Sequence, residues 1–374
     1  MDRQAKMDLM ARAAQYDLCA GCGTQTSRVR DEIGRWIYPA ALPDGRHVAL
    51  LKVLQSNLCE NDCFYCANRR SREGARGEFS PEELAWSFDH LVQRRRAQGL
   101  FLSSAVCGSV DRTMERMIAT VELVRVKYQF KGYVHLKLLP GTDEATVERA
   151  VRLADRVSVN LEAPNPERLL RLSGDKAFKQ DLIQPLNLAK GFRDAGLGAR
   201  AGLTTQFVVG AAGESDQEIL STVSDLYRTT GLARAYFSAF QPVPATPLEN
   251  LPATPPLREH RLYQSDFLLR QYGFALPDLT FGDDGNLVSD TDPKMAWARR
   301  HPECFPVEVN RASREQLLRV PGIGPRSVSR ILAMRRQGQF RCLEDLRATG
   351  AVATRAAEFV LLDGRCPPRQ LALC

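Results

Sequence analysis

NLCENDCFYCANRR, residues 57–70, carries Cys59, Cys63 and Cys66 in a C-x3-C-x2-C run. Three thiols this close on one loop can converge on a single centre, whereas three cysteines cannot all pair as disulfides. Thiolate ligands favour iron–sulfur clusters or zinc. A structural zinc site normally closes with four ligands, so three cysteines leave one metal position open to something other than protein. Zinc completed by a distant residue such as Cys19 or Cys22, or three unconnected core cysteines, are the alternatives.

The run directly follows an apolar stretch, Val48–Gln55, that reads as a strand. Further strands are expected at Gly99–Ser104, Tyr133–Leu138, Val157–Leu161, Leu203–Val209 and Ala235–Phe240. Between them, Pro81–Ala97, Thr113–Tyr128, Asp143–Leu153, Asn165–Leu172, Leu186–Ala195 and Asp216–Thr229 have helical spacing, and Gln4–Tyr16 reads as an amphipathic helix before the first strand. Six β-α units imply a parallel sheet, wound as a partial (β/α) barrel or as an open doubly wound sheet. The glycine fingerprint of a dinucleotide fold does not follow the first strand, which disfavours the second option.

The 374 residues are 44% hydrophobic and 25% charged, which excludes a mostly disordered or fibrous chain. No apolar run is long enough to span a bilayer, and the N-terminus MDRQAKMDLM alternates charges where a signal peptide is apolar, so a cytoplasmic protein with no membrane partner is expected. Of the net charge of +7, residues 300–374 hold +6, from 13 Arg and no Lys against 7 acidic residues. Charge gathered in one short region points to a polyanion-binding module appended to a body with another task. The expected division is an N-terminal extension (1–47), a barrel (48–245), a capping and connecting segment rich in proline and turns (246–299), and a small all-α domain (300–374).

With an aromatic residue, Tyr65, before its last cysteine, the C-x3-C-x2-C run resembles the radical S-adenosylmethionine (SAM) superfamily. The resemblance implies a partial (β/α)6 barrel with its active site at the C-terminal strand ends. It also implies a 4Fe-4S cluster held by Cys59, Cys63 and Cys66, whose remaining iron binds SAM. Reductive cleavage of SAM then gives methionine and a 5'-deoxyadenosyl radical that abstracts hydrogen from a substrate. An electron donor, a reductase or flavodoxin-type protein, is implied as a partner. Carried over position by position, Tyr65 stands beside the cofactor. Ser103 and Ser104 end the second strand where many relatives have Gly-Gly-Glu, and Asn160 and Glu162 end the fourth, where relatives bind the ribose and methionyl groups. Gly210 and Gly213 resemble the turn that approaches adenine. Cys107, as a hydrogen donor, and His135 and Lys137, sharing one face of the third strand, are candidates for catalysis. A buried inert cysteine and a satisfied core histidine are the bland readings of the first two. Cys304, Cys342, Cys366 and Cys374 lack ligand spacing and read as structural.

The last domain contains a repeat. At an offset of 28, Leu317–Leu332 aligns with Asp345–Val360, matching Gly322 to Gly350, Leu318 to Leu346 and Arg319 to Arg347. The first copy resembles a helix-hairpin-helix motif, with Pro321-Gly322-Ile323-Gly324 as the hairpin, Ile323 its anchor, and Arg326 and Arg330 on one face of the following helix. Glycines and helix-start N–H groups at such a turn suit a backbone phosphate, and basic side chains extend the contact without reading sequence. A protein–protein hairpin is the alternative. Together the two parts resemble bacterial radical SAM proteins described as DNA modification or repair enzymes, which implies DNA as a partner and leaves room for a partner DNA-metabolism enzyme; a radical SAM enzyme acting on RNA or on a protein partner, and a non-enzymatic iron–sulfur DNA-binding sensor, are the alternatives.

Overall fold

The computed structural model describes residues 3–14, 37–41 and 47–367, and Cys19, Cys22 and Cys374 lie outside them. The chain divides into two compact units, Met1–His260 and Arg261–Cys374.

The first unit begins with α1 (Arg3–Ala14), β1 (Ile37–Ala41) and β2 (His47–Leu54). Alternating elements follow: α2 (Pro81–Gln93), β3 (Gly99–Ser103), α3 (Val110–Glu122), β4 (Tyr133–Lys137), α4 (Glu144–Leu153) and β5 (Arg156–Ser158). Next come α5 (Pro166–Leu170), α6 (Gln184–Asp194), β6 (Leu203–Val209), α7 (Asp216–Thr230) and β7 (Arg234–Ala239). The strands lie side by side in chain order, β2 to β7 parallel, with β1 added antiparallel to β2. Unbroken chain order is barrel winding, since a doubly wound sheet reverses direction partway. The six expected parallel strands are present, and β1 is an addition that the sequence pattern did not show.

Several helices start where the sequence supplies a cap. Ser80 and Glu83 form a reciprocal capping box on α2, Ser215 and Glu218 do so on α7, and Asp143 and Asn165 cap α4 and α5. Apolar faces of α2, α3, α4 and α7 cover the sheet, burying Phe88, Met117, Val147 and Val223. Strand β5 is shorter than expected, ending at Ser158. Beyond it Glu162 adopts φ +63° and rejoins the ladder only through an isolated bridge to Phe207.

In the second unit, whose first residues complete α8 (Pro256–Gln271), come α9 (Pro293–Arg300), β8 (Val307–Glu308), α10 (Arg314–Arg319) and α11 (Pro325–Met334). Then follow α12 (Leu343–Ala348), α13 (Ala353–Ala356) and β9 (Val360–Leu361), which pairs in parallel with β8. The sequence repeat is a structural one: α10–α11 and α12–α13 are the two hairpins, and Gly322 and Gly350 share a left-handed backbone with φ +83° and +82°. The segment before residue 300 belongs to the same packing. Arg319 of α10 lies 3.9 Å from the Phe274 ring centroid and 4.7 Å from that of Trp297, and donates to the Gly273 carbonyl at 3.1 Å. Cys304, Cys342 and Cys366 are exposed thiols, not core residues.

Candidate active site

The cysteine loop leaves the end of β2 and is held by side chains far along the chain. The Arg76 guanidinium donates to the carbonyls of Asn57, Asn68, Arg69 and Arg72 at 2.6–2.9 Å. Asn57 bonds back through Gly77 N–H, and Phe64 N–H donates to Leu172 O at 2.8 Å. Asp62 accepts from Arg69 Nε at 2.7 Å and from Ser71, and these bonds, chiefly that to Arg69, hold its carboxyl well below the usual range. Within this frame Cys63 is buried, with its Sγ 3.5 Å from Ser173 Oγ, and Asn68 N–H points at Cys66 Sγ at 3.4 Å. Burial raises the Cys59 thiol above its ordinary value.

Cys59, Cys63 and Cys66 line one cleft of about 250 Å³ at the C-terminal strand ends, together with Tyr65, Ser104, Lys137, Asn160 and Glu162. Lys176 and Gln206, which sequence reasoning missed, stand in the same wall. Burial disfavours the Lys176 ammonium, but Cys63, Glu162 and Cys66 outweigh it and raise its pKa. Glu162 is 7% exposed, and its left-handed backbone is one that a glutamate adopts only when its surroundings enforce it. The enforcement is visible: Glu162 N–H donates to Gln206 O at 2.9 Å, and Val208 N–H donates to Glu162 O at 2.8 Å.

Other candidates lie elsewhere. His135 sits deeper in the barrel than Lys137, stacked on Phe101 at 4.1 Å, with Nε2 2.9 Å from Ser158 Oγ. Burial, aided by Arg156, Lys52 and Lys137, pushes its pKa well down, so it is a neutral core histidine and does not line the cleft. Ser103 is buried and does not line the cleft. Cys107 is outside the cleft, its Sγ 3.5 Å from the Glu78 carboxylate. Gly210 and Gly213 also fall outside the lining. Their turn folds around Glu214, which accepts from the Gly210 and Ala212 N–H groups, and a Cβ on Gly210 would collide with Thr254 Oγ1. Packing is thus sufficient reason for that glycine.

At the first hairpin, Ile323 is buried and anchors the turn. Gly322 O accepts from Val352 N–H at 2.8 Å, and a Cβ on Gly322 would lie 2.5 Å from Val352 O, so internal contact with the second hairpin already demands glycine there. Arg326 and Arg330 are exposed on α11, and Arg330 also donates to Thr349 O at 3.2 Å.

Residues 53–226 match the profile of the Radical SAM superfamily. The chain carries a radical SAM domain. Residues 305–356 match the helix-hairpin-helix motif. Among curated proteins, the chain is 25% identical over 204 residues to a tRNA-2-methylthio-N(6)-dimethylallyladenosine synthase of Lachnoclostridium phytofermentans, covering 51% of this chain and 42% of that protein. It is 23% identical over 211 residues to a biotin synthase of Leptospira biflexa, covering 56% of each. The chain therefore spans about half the length of the curated relatives it matches. Solved structures similar to it include methylornithine synthase (18% identity, TM-score 0.48, 59% of this chain and 62% of that one). Another is the hydrogenase maturase HydG of Carboxydothermus hydrogenoformans (15%, 0.47, 59% and 51%).

Radical SAM domains are enzymes that use a 4Fe-4S cluster and SAM. The donor chemistry of the cleft fits those groups: three thiols share it with two ammonium groups, a carboxylate and several amides. Among the described residues no three His, Cys, Asp or Glu side chains are grouped to hold a single metal ion. No described helix is long and apolar enough to cross a membrane.

Proposed function

We propose that this radical SAM enzyme acts on DNA, in modification or repair. The observation that carries the reading is the pair of hairpins with matching left-handed glycines in a region holding nearly all of the net charge. Such hairpins engage backbone phosphate through N–H groups and basic side chains without reading sequence, which concentrates substrate near the catalytic domain. Gly322, Ile323, Gly324, Arg326 and Arg330 are assigned to that contact.

Cys59, Cys63 and Cys66 are the ligands of the cluster, and Tyr65, Ser104, Asn160, Glu162 and Lys176 face SAM. When bound, the cofactors supply one-electron cleavage of SAM and a carbon-centred oxidant. The chain's own work is to place polar groups of the right charge, with Lys176 opposite carboxylate and Glu162 opposite ammonium, and to exclude water around the reacting carbon. Lys137, which lines the cleft away from the cysteines' own loop, orients substrate. A reductase or flavodoxin-type protein supplies the electron, and a partner DNA-metabolism enzyme can process the product.

A second reading, RNA as substrate, is favoured by the similarity to a tRNA-modifying enzyme. Both are tested by reconstituting the cluster anaerobically, adding dithionite and SAM, and measuring 5'-deoxyadenosine with duplex, single-stranded and ultraviolet-damaged DNA and with RNA. Stimulation by one DNA form supports the proposal, stimulation by RNA alone supports the second reading, and turnover indifferent to nucleic acid overturns both. Cys59→Ala is expected to bind little iron and to give no 5'-deoxyadenosine.

A further inference from the structure

A cleft of about 420 Å³ in the second unit is lined by both hairpins, at Gly322, Ile323, Gly324 and Gly350, and by Tyr272 and Lys294 from the segment that precedes them. Lys294 is 8% exposed. Its Nζ donates to Ile323 O at 2.6 Å and stands 4.6 Å from the Tyr272 ring centroid. The Tyr272 hydroxyl in turn lies where a Cβ on Gly324 would be 3.3 Å away, so the turn is fitted closely over this pair.

The carbonyl that Lys294 holds belongs to the Ile323–Gly324 peptide, and the N–H of that same peptide is the N-cap N–H of α11. A helix leaves that N–H without an intrahelical acceptor. An ammonium on the oxygen of a peptide polarises the whole unit and strengthens its N–H as a donor. The groups around Lys294 do not form a conventional ion pair with it. Asp292, two residues away, is bonded to Arg355, and Arg319 approaches from α10. The Lys294 charge is therefore directed at the hairpin peptide, with Tyr272 providing an aromatic face.

We propose that Lys294 is a positioning residue of the nucleic-acid site, acting as an ammonium through the Ile323–Gly324 peptide to hold and polarise the N–H that meets a backbone phosphate. This rests on the reading of the hairpin as a DNA contact. Burial above all, with Arg355 and Arg319 against Asp292, lowers the Lys294 pKa to about 7. A phosphate arriving on the far side of the peptide favours the ammonium, so binding takes up a proton and weakens as the amine loses it.

The test measures affinity of the full chain for a short duplex by fluorescence anisotropy, at fixed salt, across the range in which Lys294 titrates. Wild type is expected to bind about tenfold more weakly at about pH 9 than at about pH 6. Lys294→Arg, always charged, is expected to flatten that profile at high affinity, and Lys294→Met to flatten it at low affinity. A flat wild-type profile, a Lys294→Arg profile that keeps the wild-type step, or Lys294→Met binding as tightly as wild type at the acidic end each overturns the proposal. If no form binds duplex at any pH, the DNA reading fails, and amide hydrogen exchange at Ile323 and Gly324 then decides the hold on the peptide. Faster exchange there in Lys294→Met, restored by Lys294→Arg, with Leu317 and Val328 unchanged, supports the hold; equal rates in all three proteins overturn it.

Discussion

The cysteine loop and the first hairpin are each held from outside by one basic side chain that donates to backbone carbonyls, and the two holders differ in kind. Arg76 spans four carbonyls with a planar fork, while Lys294 gives a single strong bond to one. A rigid multi-donor guanidinium fixes a long irregular loop whose thiols must stay in place. A compact, buried ammonium holds only one peptide, and its hold can vary with protonation. The lesson is that motif residues carry chemistry, while their geometry depends on a partner outside the motif.

Removing the guanidinium breaks this contrast most severely. Arg76→Met leaves four carbonyls without their donor and is expected to cost about 3 kcal/mol of loop stability. Iron retained after reconstitution, with unfolding followed by circular dichroism, checks it, and Arg76→Lys is expected to recover only part. The hairpins offer an internal comparison next in size. Gly322→Ala places a Cβ against the Val352 backbone at a positive φ and is expected to cost about 2 kcal/mol. Gly350→Ala, at the same positive φ, meets side-chain atoms alone, the Arg330 guanidinium at 3.0 Å and Ser327 Oγ at 3.9 Å, and is expected to cost about 1 kcal/mol. Denaturant midpoints of the two variants measure the difference, and equal losses would mean that the hairpins are equivalent.

How far the sequence reached follows the same division between motif and support. The cysteine run, the six parallel strands and the repeated glycines were legible because each is a local pattern: spacing, apolar alternation, an offset of 28. Arg76 and Lys176 were not, because each lies outside the cysteine run that it serves and looks like an ordinary surface base in sequence. Helix α8 was missed because its turns mix charged and apolar residues without a clean stripe, and β1 because a short edge strand containing Pro39 carries little pattern. His135 shows the limit of two-residue periodicity. It correctly places His135 and Lys137 on one face, yet only depth along the barrel separates a stacked core ring from a cleft-lining ammonium.

Smaller effects sharpen the picture of the first unit. Glu162→Gly relieves a left-handed backbone and is expected to stabilise the fold by up to about 1 kcal/mol while lowering 5'-deoxyadenosine formation, a split visible by comparing melting with turnover. Asp62, held below the usual carboxylate range by Arg69, stabilises the loop above the ordinary Asp pKa of about 3.9 and loses that contribution as pH falls below it. Being a partly exposed pair, it is expected to be worth under about 1 kcal/mol. Phe64 amide exchange is expected to quicken on acidification in wild type, and Asp62→Asn to remove that pH dependence.

The β8–β9 pair has a mechanical consequence. It joins Val307 to Val360 and Glu308 to Leu361 in parallel, so the chain enters the two-hairpin region at one end of the bridge and leaves at the other. Tension along the polypeptide loads that bridge in shear, with its bonds resisting together, and bypasses everything between residues 309 and 359. A pull applied between the two ends of this region would be carried by the clasp, leaving the hairpins between them unstretched.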